Sequence, residues 1–181
     1  MENNVRMVIG SWGSYNECNE RSLGSKWLDL SDYEDWDEIV AELEEQGFEL
    51  DGIDEELFVQ DIDGIPTEGV NWDYTHPKTI FNLLKQSGVL DDEYKFEIMQ
   101  AYLEVRSFKE WEGLIEKYDD SWDMDINLYT NQSMIDVAYN IVEECYNLEG
   151  PLANYFDYEA FTRDLSYDGY TETTYGVLEI R

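Results

Sequence analysis

Residues 26–47 read KWLDLSDYEDWDEIVAELEEQG, and the change of period inside this stretch decides the fold. Its first five residues, through Leu30, form a short apolar run bounded by turn residues and read as a strand. From Trp36 the apolar residues return as Ile39, Val40 and Leu43, at i, i+3, i+4 and i+7, which places them on one face of a helix. Ser31 and Glu34 fit a capping box, so the helix is expected to run from Asp32 to Glu45, with Gly47 ending it. Glu34, Asp35, Asp37, Glu38, Glu42, Glu44 and Glu45 take the remaining positions. Glu34, Glu38 and Glu42 would then form a like-charge i, i+4 row costing roughly a few tenths of a kcal/mol per pair.

Working outward, residues 5–12 and 57–63 read as two further strands. With the acidic helix they make a first unit, an antiparallel sheet plus helix over residues 1–66. After Pro66 the pattern turns helical. Pro77 suits a first helical position, Ile80, Phe81 and Leu84 form its apolar face, and Gly88 is the stop. Asp91 opens a helix with Tyr94, Ile98, Tyr102 and Val105 on one side. Ser107 and Glu110 form a capping box ahead of Trp111, Leu114, Ile115 and Tyr118. These read as a helical bundle over residues 67–120.

Residues 121–181 return to mixed structure. A strand is expected at 126–129, then a helix from Ser133 with Met134, Ala138, Ile141, Val142 and Cys145 inward, and a shorter helix from Asp157 carrying Ala160, Phe161 and Leu165. Residues 173–180 alternate like a last strand. The fold class is α+β, as an elongated chain of three small domains, since so short a chain divided in three has small cores.

The charge is the strongest compositional feature. There are 43 acidic against 11 basic residues, for a formal net charge of -32. No Lys or Arg stands between Lys26 and Lys78, or between Lys117 and Arg163, so the i, i+4 ion pairs of ordinary surface helices are mostly missing. Phosphate binding needs Lys and Arg, so nucleic acid is excluded as a partner and a basic surface is favoured. Mean hydropathy is -0.57. Six Trp, 14 Tyr and seven Phe nonetheless supply enough large rings for folded cores. No apolar run is long enough to cross a bilayer, and the N-terminus lacks a signal-peptide pattern, so the expected location is the cytoplasm. Cys18 and Cys145 form no CxxC pair and read as two reduced thiols.

Catalytic and metal chemistry find little to use. His76, the sole histidine, precedes Pro77 and reads as an exposed loop or cap residue. Asp123, Asp125 and Asn127 begin like a calcium loop, but Leu128 stands where Gly is required and Met134 where a bidentate Glu belongs. Asp61 and Asp63 fail in the same way, at Ile65 and Pro66. With so many acids, close carboxylate pairs arise by chance and carry no catalytic information. No cofactor, metal or catalytic residue is expected.

Taken as geometry, the charge fits phosphate mimicry. Duplex DNA carries one charge per ~1.7 Å of axis, so the net charge matches about 54 Å of duplex, and carboxylates at helical i, i+3 and i+4 positions lie roughly 5 to 6 Å apart. The mimicking surface is placed on Asp32, Glu34, Asp35, Asp37, Glu38, Glu42, Glu44 and Glu45. It continues on Asp91, Asp92, Glu93 and Glu97, on Glu112, Glu116, Asp119 and Asp120, and on Glu143 and Glu144. A halophilic surface would carry similar charge.

Specific residues point further. Gly10-Ser11-Trp12 with Tyr15-Asn16, the run Gly24-Ser25-Lys26-Trp27-Leu28-Asp29-Leu30, Phe58-Val59-Gln60-Asp61 with Gly64-Ile65-Pro66, and near the other end Tyr155-Phe156-Asp157-Tyr158-Glu159-Ala160-Phe161 with Arg163-Asp164-Leu165 are similar to motifs of the ArdA antirestriction proteins. The central third matches in character only. The resemblance implies an elongated, curved homodimer of three small domains per chain that mimics bent B-form DNA, with dimerisation through the C-terminal domain. It implies inhibition of type I restriction-modification enzymes through their DNA-binding specificity and methyltransferase subunits, and carriage by mobile genetic elements. It also implies that inhibition rests on distributed charge with no single essential acid, and that residues 133–146 correspond to the family's antirestriction segment. The alternatives are an acidic inhibitor or chaperone of another basic nucleic-acid-binding protein, and an enzyme using a carboxylate pair.

Overall fold

The computed structural model describes residues 4–66, 70, 72–146, 148 and 150–181. Among them the chain forms seven α-helices and two three-stranded antiparallel sheets, a mixed α/β fold. The boundary expected after Pro66 adjoins residues 67–69, outside the described ones.

In the first sheet β1 (Arg6–Ser11) lies between β2 (Leu28–Asp29) and β3 (Leu57–Asp63). Met7 faces Ile62 and Ile9 faces Val59, all four buried. Ile62 and Val59 are three residues apart, so strict strand alternation would turn one of them outward. A register shift between Val8 and Ile9 leaves Gln60 unpaired and returns both to the core face. β2 is shorter than the run at 26–30 suggests, because only Leu28 and Asp29 pair with β1.

The strand expected at 5–12 stops at Ser11, whose hydroxyl accepts the Ser14 N–H at 3.2 Å and starts α1 (Trp12–Glu17). This helix was not legible, because Gly13, Ser14 and Asn16 are weak helix formers. Gly13 is dictated by tertiary contact: a Cβ there would sit 1.8 Å from the Ile53 carbonyl oxygen.

The acidic helix also starts later than expected. The Ser31–Glu34 capping box does not form. Residues Leu30–Asp32 make a 3-10 turn capped by Asp29, Tyr33 is extended, and α2 (Trp36–Glu45) begins after Asp35, whose carboxylate accepts the Asp37 and Glu38 N–H groups at 2.9 and 3.1 Å. An Asp with two donors in reach outcompetes a Ser four residues earlier that the extended Tyr33 cuts off from the helix. Asp32 and Glu34 therefore lie outside α2, and only Glu38 and Glu42 of the expected row remain helical neighbours. Trp36, Ile39 and Leu43 are buried as the period requires. Gln46 and then Gly47, at φ +88°, end the helix.

The central helices are α3 (Pro77–Ser87), α4 (Glu93–Val105) and α5 (Phe108–Tyr118). Pro77 stands at the first turn of α3, His76 caps it by accepting the Lys78 N–H at 3.1 Å, and Gly88 closes it at φ +75°. The Ser107–Glu110 capping box of α5 is present in both directions. In α4 the buried face differs from expectation: Ile98 and Tyr102 are inside, but Tyr94 is exposed, and Phe96, Met99 and Ala101 are buried. The reason is that α4 is sandwiched, packing on α5 and on all three strands of the second sheet, so one stripe cannot describe it.

That sheet places β6 (Gly176–Ile180) between β4 (Ile126–Thr130) and β5 (Tyr170–Thr173). The single strand expected at 173–180 is thus the second half of a hairpin that turns at Thr174–Tyr175. Helices α6 (Met134–Cys145) and α7 (Tyr158–Tyr167) pack on each other and on β5. Val137, Ala138 and Val142 are the buried residues of α6, whereas Cys145, expected inward, is exposed, and Met134 and Ile141 are half-buried. The burial of α6 ends at Val142, and Cys145, the last residue of the helix, lies among exposed residues 143–146.

Most of the buried apolar residues form one connected cluster from Val5 through Phe81, Met99 and Trp111 to Leu178, while the buried residues of α6 and α7 stand outside it. Ring contacts run Trp72 to Phe108, Phe108 to Trp111 and Trp111 to Trp122 at centroid distances of 5.3, 5.4 and 5.7 Å. The Trp122 indole N–H reaches the Ser87 carbonyl at 2.9 Å, tying the end of α3 to the entry of β4.

Candidate functional site

With its apolar stripe spent on the core, α2 turns Asp37, Glu38, Glu44 and Glu45 outward, and exposed Asp32, Glu34 and Asp35 lead into it. Glu42 is half-buried and held by Gln46 at 2.7 Å, and Glu38 accepts the Glu34 N–H at 2.8 Å. Among the described residues the ion pairs within 4.0 Å involve Asp54, Asp63, Asp91, Asp123 and Glu179, so no acid of α2 has a cationic partner. The field is felt nearby: the Tyr33 hydroxyl is pushed above its ordinary pKa, first by burial and then by the charges of Glu42, Asp32 and Asp29.

The acids at the start of α2 oppose its positive dipole end and favour the helix. Glu44 and Glu45 stand at the negative end, with no basic residue in the last turn, and disfavour it by roughly 0.3–1 kcal/mol each. Selection for helix stability would place Lys or Arg there. The C-terminal acids of α2 therefore do not stabilise their own helix.

The other expected positions fall into separate groups. Asp91 and Asp92 precede α4, with Asp92 capping it at 2.9 and 3.1 Å and Asp91 paired with Lys85 at 3.4 Å; Glu93 is exposed and Glu97 half-buried. Glu112 of α5 is half-buried, while Glu116, Asp119 and Asp120 are exposed around its end. Glu143 and Glu144 are exposed on α6, which packs on α7 and β5. The fold thus gathers the α2 acids on one helix and does not bring the whole set together. Sequence reading missed exposed Glu49, Asp51, Glu55 and Glu56, which extend the acidic surface beyond α2 through an irregular loop. Acid density was the available signal, but no helical period marked them.

Among the described residues two acids are withdrawn from the surface. Asp54 is fully buried and accepts hydrogen bonds from Ser11 at 2.6 Å, from Ser14, from Arg21 at 2.9 Å and from the Glu49 N–H at 2.9 Å. Burial would raise its pKa, but these donors outweigh that and hold the carboxyl below its usual range. Glu179, 4% exposed, is likewise raised by burial and lowered further by Arg181, Asn127, Tyr170 and Tyr129, for a net depression. Both are held as carboxylates, whereas a catalytic acid needs a raised pKa. Between the first sheet, α4 and the second sheet lies a cleft of about 740 Å³ whose lining includes Arg6, Asp63, Glu97, Gln100, Asn131 and Tyr175. The Arg6 guanidinium bonds Asp63 across its edge.

A family model described as Antirestriction protein (ArdA) matches residues 7–179, and no curated protein matches the chain. The match begins in β1 and ends in β6, so it takes in both sheets and every helix between them. The chain belongs to the ArdA antirestriction protein family.

Proposed function

We propose that this protein is a DNA mimic that occupies the DNA-binding groove of type I restriction-modification enzymes, contacting their specificity and methyltransferase subunits in place of DNA. The observation that carries this reading is the outward face of α2, where carboxylates stand without cationic partners among the described residues and include two that work against their own helix. Such a surface is matched to a groove built for phosphates, and its field speeds encounter with a positive partner. The acids of α4, α5 and α6 extend the mimicry along the chain. Three small domains in an elongated homodimer, acting in the cytoplasm, would give the charge the length of a DNA segment.

The test is a cleavage assay with a purified type I enzyme and unmodified DNA. The protein is expected to protect the DNA, with an apparent affinity that falls steeply as salt rises, because many ionic contacts are screened together. Replacing Asp37, Glu38, Glu44 and Glu45 by their amides in steps should weaken protection gradually. No protection at any ratio, or protection indifferent to salt, overturns the reading.

A further inference from the structure

Four aromatic rings meet where β1 passes into α1. Trp12 stacks on Phe58 at 4.3 Å and 24°, and Tyr15 stands edge-on to both, at 5.9 and 6.4 Å. Tyr74 lies 6.5 Å from Trp12 at 38°. Phe58 is buried, but Tyr15 is 54% and Tyr74 82% exposed, and Trp12 is half-buried. The core needs Phe58 and one side of Trp12; it does not need two exposed tyrosines beside them. Exposed π faces can stack on nucleic-acid bases or on cations. Charge decides between them. The chain entering β3 brings exposed Glu56 against the cluster, with the Trp12 N–H on the Glu56 carbonyl at 3.0 Å, and the net charge of -32 repels phosphates. Among the described residues the chain's own cations stack elsewhere, Arg6 over Trp27 and Lys117 over Tyr118.

We infer that the Trp12–Tyr15–Tyr74 surface, with Glu56 at its rim, is a docking site for an arginine side chain presented by a basic protein partner. A guanidinium is flat and weakly hydrated, so it can lie on a ring while its N–H groups reach a carboxylate. A lysine ammonium satisfies only the charge. The inference deepens the mimicry reading and rests on it for the partner's basic character: α2 supplies diffuse attraction, and this patch supplies a preference among cations.

The probes are an eight-residue arginine peptide and an eight-residue lysine peptide, titrated calorimetrically into the full chain. The variants are Tyr74→Leu with Tyr15→Leu, which keep apolar bulk but remove the rings, and a second set in which Asp37, Glu38, Glu44 and Glu45 are amides. The wild type should prefer the arginine peptide, and the tyrosine double variant should lose about fivefold of that preference. The α2 variant should bind both peptides more weakly by the same factor. An arginine preference unchanged in the tyrosine double variant overturns the inference, whether or not overall affinity falls. Because no restriction enzyme is present, that failure would leave DNA mimicry standing. Conversely, an intact arginine preference in a protein that protects no DNA would sink the mimicry reading alone.

Discussion

The outward face of α2 and the pocket around Asp54 are close in the chain and built from the same functional group, yet they use it for opposite purposes. On the outward face of α2 the carboxylates are exposed, and among the described residues none has a cationic partner. Around Asp54 a single carboxylate is sealed from water, and two hydroxyls, a guanidinium and a backbone N–H converge on it. The difference teaches that acidity here is not uniform surface decoration. Burial with donors makes a carboxylate a structural joint, linking β1, α1 and the loop before β3. Exposure without a cationic partner makes it a source of field.

The largest expected effect comes from breaking the joint. Asp54→Ala strands two serine hydroxyls and the Glu49 N–H and leaves Arg21 unpaired, at a cost of about 3 kcal/mol. That corresponds to roughly a 10 °C fall in unfolding temperature for a chain of this size, measurable by calorimetry. Glu179→Gln keeps the shape and loses the charge-assisted bonds, costing about 2 kcal/mol, since its Arg181 partner is largely solvated. In both cases antirestriction per folded molecule should be unchanged.

Acid sharpens the same contrast. Both buried carboxyls titrate below their ordinary values in the folded state. Each therefore contributes stability that is complete above the unfolded carboxyl range near pH ~4 and is lost as pH falls through the lower folded values. Urea midpoints for the wild type should drop below pH ~4. The Asp54→Asn, Glu179→Gln double variant should start lower at neutral pH and fall less steeply, and equal slopes would remove both groups from the acid transition.

Asp35 belongs to both classes, since it is exposed and also caps α2. Asp35→Ala should cost about 1 kcal/mol by urea titration and slightly weaken inhibition, whereas Asp35→Ser should restore the stability but not the inhibition. The smallest effect on stability, and of opposite sign, is expected at Glu44 and Glu45. Replacing either one by Gln should stabilise the protein by roughly 0.3–1 kcal/mol through the helix dipole while protection of DNA declines. A loss of stability there would mean that these acids make contacts the fold depends on.

Much of this contrast was legible in the sequence. The apolar period of Trp36, Ile39 and Leu43 located α2, and Pro77, Gly88 and the Ser107–Glu110 box bounded α3 and α5, because those signals act within one turn of helix. The start of α2 was not legible, since Ser31 and Asp35 are both competent caps and the extended Tyr33 decides between them. The inward face of α4 was missed because two partners on different sides share it. Asp54 could not be told from the other acids: its donors come from residues 11, 14, 21 and 49, brought together only when β1 pairs with β3. The Trp12–Tyr15–Tyr74 patch was equally hidden, as Tyr74 meets the two rings of α1 from some sixty residues away in the chain.

The sequence by itself determined the sign and density of the charge, the absence of basic partners along 27–77, the helical stripe of α2 and the family motifs at both ends. These are properties of composition and of neighbours a few residues apart. Only the tertiary structure decided which carboxylates are joints and which are field, and where exposed rings gather. Burial and hydrogen-bond pairing are set by contacts distant in the chain, and no local period encodes them.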